Sequence, residues 1–238
     1  MKKALFILII VAACLPLAVL GQSVDAKAYY TDEEHEYQEV TSIDKGQAPL
    51  AVEFRANPGG MDGWTPSYEW HFLKMEGDQG FTELLVRYEE TTEYTFTESG
   101  TYNVVLRTQV TNGTETNELD PQTIVVVVLE SKLSFPNAFS PNDDGVNDTF
   151  KAKEYQSIVD FHAYIFNRWG QKLYEWTDPA GEWNGTYNGR PVKDGVYFLL
   201  VKARGADGYE YNIRRDVNIL RGLPTSKTGE GSTSSTTD

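Results

Sequence analysis

The densest set of oxygen-bearing side chains in the 238-residue sequence lies at 140–148, which reads SPNDDGVND. The side chains of Asn142, Asp144 and Asp148, together with a backbone carbonyl, are of the kind that surround a hard cation such as Ca²⁺. The segment departs from the EF-hand pattern, because a serine begins it and a lysine stands in place of the closing glutamate. The same residues favour an Asx-rich turn, in which side chains accept hydrogen bonds from their own backbone. A calcium site and a metal-free turn are both open.

The histidines do not form a recognisable metal or catalytic motif. His35, His71 and His162 lie in three separate segments without a His-x-x-x-His spacing, so a histidine zinc site is not supported. We expect His71 to be exposed, because it lies on the opposite face of a strand from Trp70. No G-x-S-x-G nucleophile motif is present. We therefore expect a protein that is not an enzyme, with a small hydrolase as a third hypothesis behind two non-enzymatic ones.

Tryptophan side chains are the other groups that could bind a ligand, because aromatic faces pack against the apolar faces of sugar rings. Four tryptophans are considered for this role: Trp64, Trp169, Trp176 and Trp183. Trp64 lies in a glycine-containing loop at 60–66 and is the candidate for an exposed ligand contact. For Trp169 and Trp183 we expect packing in a core or a turn, because both lie within motifs that resemble those of a known family.

The N-terminus predicts an exported protein. Two lysines precede a short apolar run, and we place the end of a signal peptide (1–21) after Gly21. The single cysteine, Cys14, lies within this run, and its lipidation is the alternative to simple secretion. Without the signal peptide the chain has no cysteine, which excludes disulfides and thiolate metal sites. It then carries 19 basic and 35 acidic residues, so a nucleic-acid partner is not expected.

After an acidic lead-in at 22–45, the region 46–129 has a hydrophobic period of two. Apolar residues alternate with polar ones at Leu50–Phe54, Tyr68–Phe72 and Tyr102–Leu106, and turn residues such as Asn112-Gly113 separate the runs. Alternation of this kind is typical of half-buried strands. Several short strands with regular turns predict an antiparallel sandwich.

This region resembles the PKD-type domain, an immunoglobulin-like module of extracellular proteins. The resemblance is carried by APLAVEF, YEWHF, YTFTESGTYNVVL and TIVVVV, which begin at residues 48, 68, 94 and 123. It implies that Trp70 is buried between two sheets. It also implies that Tyr102 forms a tyrosine corner, in which the phenol bonds to upstream backbone.

A short linker at 130–133 leads to a second region, 134–221, that also predicts strands. Val196 to Ala203 is a strong β run, and Asn188-Gly189 is typical of a hairpin turn. Pro191 places one flank of that hairpin at a sheet edge. The residues from Gly222 to Asp238 are rich in Gly, Ser and Thr without an apolar pattern, and we expect them to be disordered.

The second region is similar to the gliding-motility-associated C-terminal domain, the type B sorting domain of type IX secretion. The motifs that carry the similarity occur in the family's order: FPNAFSPNDDGVNDTF, IFNRWGQKLYEW, WNGTYNGRPVKDGVYFLLVKA and NILR. The resemblance implies an immunoglobulin-like sandwich. It also implies export across the outer membrane of a Gram-negative bacterium, with the secretion or outer-membrane machinery as partner.

The sequence thus predicts an all-β protein of two consecutive immunoglobulin-like sandwiches after a signal peptide. The leading hypothesis is a non-enzymatic protein of the cell surface or medium, in which a PKD-like spacer or binding module is carried by a sorting-like domain. The alternative is an adhesin that binds a glycan or a surface protein and in which both sandwiches are structural. No cofactor other than the candidate Ca²⁺ is expected.

Overall fold

The computed structural model describes residues 21–32 and 34–222. Within these ranges the chain consists of strands and turns, with one 3₁₀ turn at Gly77–Gln79 and no α-helix, so the predicted all-β class is confirmed. The predictions for Cys14, for the signal peptide before Gly21 and for the tail after Gly222 concern residues outside those described. A helix of the length and hydropathy needed to cross a membrane does not occur in the described part.

The first sandwich consists of nine strands whose inward side chains form one core. Leu50, Val52 and Phe54 are buried, whereas the residues between them are not, as the period of two predicts. The strands are β1 (Lys27–Thr31), β2 (Tyr37–Val40), β3 (Ser42–Gly46), β4 (Leu50–Arg55), β5 (Thr65–Met75), β6 (Phe81–Arg87), β7 (Thr91–Phe96), β8 (Gly100–Thr111) and β9 (Thr116–Val128).

These strands form two sheets, with the orders β2-β1-β4-β7 and β3-β9-β8-β5-β6. The segment predicted as an acidic lead-in supplies β1, β2 and β3. β1 pairs antiparallel with both β2 and β4, and β3 pairs parallel with β9. The chain changes from one sheet to the other at Thr41, between β2 and β3. Residues 22–45 are therefore hydrogen-bonded into both sheets of the first sandwich.

The core of the first sandwich contains the two aromatic residues that the sequence singled out. Trp70 is fully buried and its indole N–H donates to the Glu89 carbonyl at 3.0 Å. The Tyr102 phenol donates to the Glu98 carbonyl at 2.8 Å, so the predicted tyrosine corner is confirmed. Burial, with the nearby Glu98 carboxylate as a second cause, raises the pKa of Tyr102 to about 12. The phenol therefore remains a donor at physiological pH.

The second sandwich consists of one large sheet covered by short strand pairs. Its core unites side chains from both layers, among them Phe150, Ile165, Trp183 and Val201. The strands are β10 (Lys132–Ser134), β11 (Ala138–Phe139), β12 (Phe150–Lys151), β13 (Glu154–Gln156), β14 (Ile158–Phe166), β15 (Lys172–Trp176), β16 (Glu182–Trp183), β17 (Thr186–Tyr187), β18 (Arg190–Pro191), β19 (Gly195–Gly205) and β20 (Glu210–Ile219).

The large sheet has the order β11-β20-β19-β14-β15, and the short pairs are β10-β13, β12-β16 and β17-β18. The predicted hairpin is the β17-β18 pair. Its turn residues Asn188 and Gly189 have φ angles of 50° and 73°, which is the type I′ geometry that Asn-Gly favours. Pro191 lies in the two-residue strand β18. Proline has no N–H to donate, but in so short a strand few ladder hydrogen bonds are lost.

A second tyrosine corner lies in this sandwich and was not foreseen. Tyr197 donates to the Lys193 carbonyl at 2.7 Å, four residues upstream, as Tyr102 does in the first sandwich. Both tyrosines follow a glycine by two positions. Gly100 and Gly195 have φ angles of 137° and 141°, which other residues rarely adopt.

The two sandwiches contact each other through a small buried junction. Ser157 is buried between them: its hydroxyl accepts from the Ala48 N–H at 3.2 Å and its carbonyl accepts from the Ala206 N–H at 2.9 Å. The Ala206 carbonyl in turn accepts from the Ser99 N–H at 3.0 Å. Ala206 and Val159, both from the second sandwich, pack against the core of the first. The junction thus combines apolar packing with main-chain hydrogen bonds.

The predicted linker between the sandwiches is held along its length. The Leu129 N–H donates to the Gly46 carbonyl at 2.9 Å, and the Gln156 amide donates to the Glu130 carbonyl at 2.6 Å. The Ser131 N–H and hydroxyl donate to the Asp207 carboxylate at 3.1 and 2.8 Å. Lys132 already belongs to β10. Residues 129–132 are thus hydrogen-bonded to both sandwiches.

Candidate functional site

The far end of the second sandwich, opposite the junction, brings together most of the residues that the sequence singled out. β14 and β20 run toward this end and β19 starts from it, as the pairing of Phe166 with Phe198 and of Gly195 with Ile219 shows. Three connections meet here: the loop 140–149, the turn 167–171 and the segment 184–194. We call this set the distal end.

The loop 140–149 is organised around Asp148. One carboxylate oxygen of Asp148 accepts from the N–H groups of Asn142 and Asp143 at 3.0 and 2.8 Å, and the other accepts from the Gly145 N–H at 2.7 Å. Desolvation raises the pKa of Asp148, but the backbone N–H groups together outweigh it and hold the pKa below its usual value. An ionised Asp148 is therefore the centre of the loop.

The other two predicted cation ligands are also engaged within the loop. Asp144 accepts from the Val146 N–H at 2.8 Å and from the Asn142 amide at 2.8 Å. The structure thus brings Asn142, Asp144 and Asp148 together as an Asx-rich turn whose oxygens accept internal hydrogen bonds. Among residues 21–32 and 34–222, no cluster of three or more His, Cys, Asp or Glu is arranged to hold a metal. Calcium binding stays the alternative to a metal-free turn, and it would require these oxygens to exchange N–H donors for the ion.

Arg221 connects two parts of the distal end, the loop 140–149 and the segment 184–194. Its guanidinium donates to the carbonyls of Val192 and Pro141 at 2.8 and 3.2 Å and to the Asp194 carboxylate at 2.5 Å. Its own N–H donates to the other Asp194 oxygen at 3.0 Å. Charge-assisted bonds of this kind are stronger than neutral ones. Arg221 closes the NILR motif, so the motif was visible in the sequence, but its partners were not.

Close packing at this end also explains a glycine in the WNG motif. Gly185 has a φ of 74°, and a Cβ there would lie 3.1 Å from Pro141 and 3.3 Å from the Phe139 ring. The adjacent Trp183 is fully buried, and its indole N–H donates to the Thr186 carbonyl at 2.8 Å. Core packing of Trp183 is thus as predicted.

Trp169 does not pack as predicted. It lies in a turn, but 76% of it is exposed, the largest value among the large hydrophobic residues of the described part. The strand pattern that buries aromatic residues ends at Phe166, so the turn carries Trp169 beyond the sheet. The Arg168 guanidinium lies over its ring, 4.4 Å from the centroid. A cleft of about 460 Å³ lies beside it, lined by Trp169, Gln171, Tyr187 and Lys193 among others.

Trp64, the predicted ligand contact, lies in the first sandwich, away from the distal end. Its side chain is only partly exposed, and its N–H donates to the Met61 carbonyl at 2.9 Å. Its role in binding remains a prediction.

His71 is half-buried and not exposed as expected. It does lie on the face opposite Trp70, but the carboxylates of Glu83 and Glu69 flank its ring nitrogens at 2.7 and 3.4 Å and cover it. The three histidines lie in different elements, with His162 stacked on Tyr164 in the second sandwich. The structure does not bring them together as a zinc site.

One known family matches a part of the chain that lies within the second sandwich. The CHU_C type IX secretion signal domain matches residues 133–213, about a third of the chain. The matched segment begins at the linker and ends within β20. No curated protein sequence matches the chain significantly.

Three solved structures are distant likenesses of this chain. SGBP-B of the Bacteroides ovatus mixed-linkage glucan utilization locus, in complex with a heptasaccharide, is 16% identical over 75% of this chain, with a TM-score of 0.23. The FN1–FN3 domains of chicken CNTN1 are 12% identical over 74%, with a TM-score of 0.29. Dimeric latent PorU from Porphyromonas gingivalis is 11% identical over 84%, with a TM-score of 0.26. The chain spans 42%, 62% and 20% of these proteins, and at such TM-scores the likenesses say nothing about function.

Proposed function

We propose that this chain is a non-enzymatic exported protein whose second sandwich serves as a type B sorting-like domain and whose first sandwich is a PKD-like spacer or binding module. The observation that supports this is the match of residues 133–213 to a type IX secretion signal domain. The partner of that domain is then the secretion or outer-membrane machinery. The protein belongs at the cell surface, in the outer membrane or in the medium of a Gram-negative bacterium.

The geometry suggests what the machinery would recognise. The motifs of the second sandwich are far apart in sequence, yet Arg221 joins Pro141, Val192 and Asp194 at the distal end. A folded surface, and not a linear peptide, is therefore the form in which this domain is presented. Substitutions that unfold the domain should abolish recognition as completely as its deletion.

The first sandwich has the properties of a spacer. Residues 22–131 carry 21 acidic and 6 basic side chains, which favours solubility and disfavours self-association. Its junction with the second sandwich, through Ser157 and Ala206, fixes the two modules against each other. A module held in this way would stand at a defined distance and angle from whatever holds the sorting-like domain.

Deletion of residues 133–238 tests the sorting role in a host that has type IX secretion. We expect the truncated protein to stay in the periplasm, whereas the full chain becomes accessible to protease added to intact cells. Deletion of 223–238 alone is the matched control, because it leaves every described strand in place. Surface exposure of the chain that lacks 133–238 would contradict the proposal.

The non-enzymatic part of the proposal has its own test. Purified protein should show no turnover on panels of glycosidase and peptidase substrates. Reproducible turnover that is removed by a single substitution of a carboxylate or a serine would overturn it.

A further inference from the structure

We propose that the cleft beside Trp169 binds an acidic sugar, with one hexuronic acid unit stacked on the indole. This proposal depends on the proposed export in one respect: an exported protein meets extracellular glycans. Its evidence is the exposure and rigidity of Trp169, the hydrogen-bonding groups of the cleft and the distribution of charge.

The turn that carries Trp169 is rigid. The Asn167 side-chain oxygen accepts from the N–H groups of Trp169 and Gln171, both at 3.0 Å. Two main-chain bonds of 3.0 Å, from Gly170 to Asn167 and from Asn167 to Gln171, close the turn. The Arg168 guanidinium covers one face of the indole. The indole is therefore held in place with its other face available, an arrangement that spares a ligand the entropy cost of ordering it.

The cleft offers donors that have no partner within the described residues. The Tyr187 hydroxyl accepts from the Gln171 amide at 3.1 Å, which leaves its own proton free to donate. The Lys193 ammonium takes part in none of the ion pairs of the described residues. The acceptors nearby are occupied: both Asp194 oxygens bond to Arg221. The complementary ligand therefore carries acceptors and negative charge.

A sugar ring suits this cleft better than an acidic peptide. The largest exposed apolar surface here is a planar ring, which matches the C–H face of a pyranose. The cleft volume of about 460 Å³ lies within the range of about 300–1,000 Å³ that is usual for small-ligand sites. A carboxylate on the sugar then meets Lys193, while its hydroxyls accept from Tyr187.

The charge of the whole chain does not oppose an anionic ligand at this place. The excess of acidic residues lies in residues 22–131, whereas residues 132–222 carry 12 acidic and 12 basic side chains. At physiological ionic strength charges are screened over about 8 Å. The first sandwich lies at the opposite end of the second sandwich from Trp169, beyond that distance.

The test is titration of purified protein, residues 22–238, with tri-galacturonic acid and with its methyl ester, in 150 mM salt (~8 Å screening). We expect the acid to bind and the uncharged ester to bind at least ~10-fold more weakly, since a factor of ten corresponds to about 1.4 kcal/mol. Trp169→Ala should remove binding without changing the melting temperature. Lys193→Gln should weaken the binding of the acid and leave the binding of the ester unchanged.

Trp64→Ala is the matched control, because Trp64 is partly exposed but lies in the other sandwich. No binding of the acid, equal binding of acid and ester, or tighter binding of an oligo-glutamate peptide would overturn the proposal. Loss of binding in Trp64→Ala, with Trp169→Ala unaffected, would overturn it in favour of the contact predicted from the sequence. None of these results bears on export, which is measured in cells.

Discussion

A methyl group at Gly205 should release the linker between the two sandwiches. Gly205 lies at the end of β19, directly against Ser131, and a Cβ there would lie 2.1 Å from the Ser131 hydroxyl oxygen and 2.3 Å from its Cβ. Contacts this short cannot persist. Ser131 must therefore move in Gly205→Ala, and with it the hydrogen bonds that hold it to Asp207 and Tyr211.

The size of the effect follows from the bonds that are lost. The Ser131 N–H and hydroxyl each donate to the Asp207 carboxylate, and bonds to charged groups contribute about 1.5–3 kcal/mol each when they are well shielded. Because this site is open to solvent, we halve the summed contribution of the two bonds and expect a loss of about 2 kcal/mol in local stability. If the two sandwiches unfold as one unit, the same loss in global stability corresponds to a fall in melting temperature of about 4–8 °C.

Trypsin cleavage after Lys132 reports the same opening directly. Cleavage through a transiently open state follows the population of that state, so about 2 kcal/mol predicts a roughly 30-fold faster cut. Gly208→Ala is the matched control, because it lies in the same turn with a φ of 79° but has no atom within 4 Å of its Cβ. It should strain the turn by about 1 kcal/mol without freeing Ser131.

Equal cleavage rates after Lys132 in wild type, Gly205→Ala and Gly208→Ala would refute the reasoning. That result would mean that the linker is already open in the native protein. Two separate unfolding transitions in the wild type would also contradict it, because the junction would then not couple the sandwiches.

Three further predictions concern the distal end and the tyrosine corners. Tyr197→Phe and Tyr102→Phe should each lower the free energy of unfolding by about 1 kcal/mol in urea titrations, since each removes one hydrogen bond to a carbonyl; no change in either would contradict the role assigned to the corners. The pKa of Asp148 is depressed, so its stabilising effect is present above the usual Asp pKa of 3.8 and is lost as the pH falls through the folded pKa. The difference in melting temperature between wild type and Asp148→Asn should therefore shrink as the pH falls through that range. A difference that stays constant with pH would argue against an ionised Asp148. Addition and chelation of Ca²⁺ should leave the melting temperature unchanged; a rise with Ca²⁺ that disappears in Asp144→Asn would instead establish the cation site.

The sequence predicted those features that depend on local pattern. The period of two located the strands, and Trp70 and Tyr102 lie where the immunoglobulin-like pattern requires them. The second tyrosine corner at Tyr197 could have been found, because both corners have glycine two residues before the tyrosine. The expectation for Trp169 was wrong because position within a motif does not tell whether a turn residue faces the core or solvent.

Other features could not be predicted because they depend on how distant elements meet. Ser157 and Ala206 are ordinary residues in the sequence, and only the docking of the two sandwiches buries them. The same holds for Arg221, whose partners come from two loops about 30 and 80 residues away. His71 is covered because the side chains of two glutamates, one on β5 and one on β6, reach its ring. Alternation along a single strand does not reveal such cross-strand contacts.

Transfer of the second sandwich to an unrelated reporter tests the central claim most directly. A signal peptide, a monomeric fluorescent protein and residues 130–238 would be joined and expressed in a bacterium with type IX secretion and in a matched strain without it. The account predicts protease-accessible fluorescence on the cell surface or in the medium of the first strain and periplasmic fluorescence in the second. Periplasmic retention of the folded fusion in both strains would contradict the claim that this domain directs export.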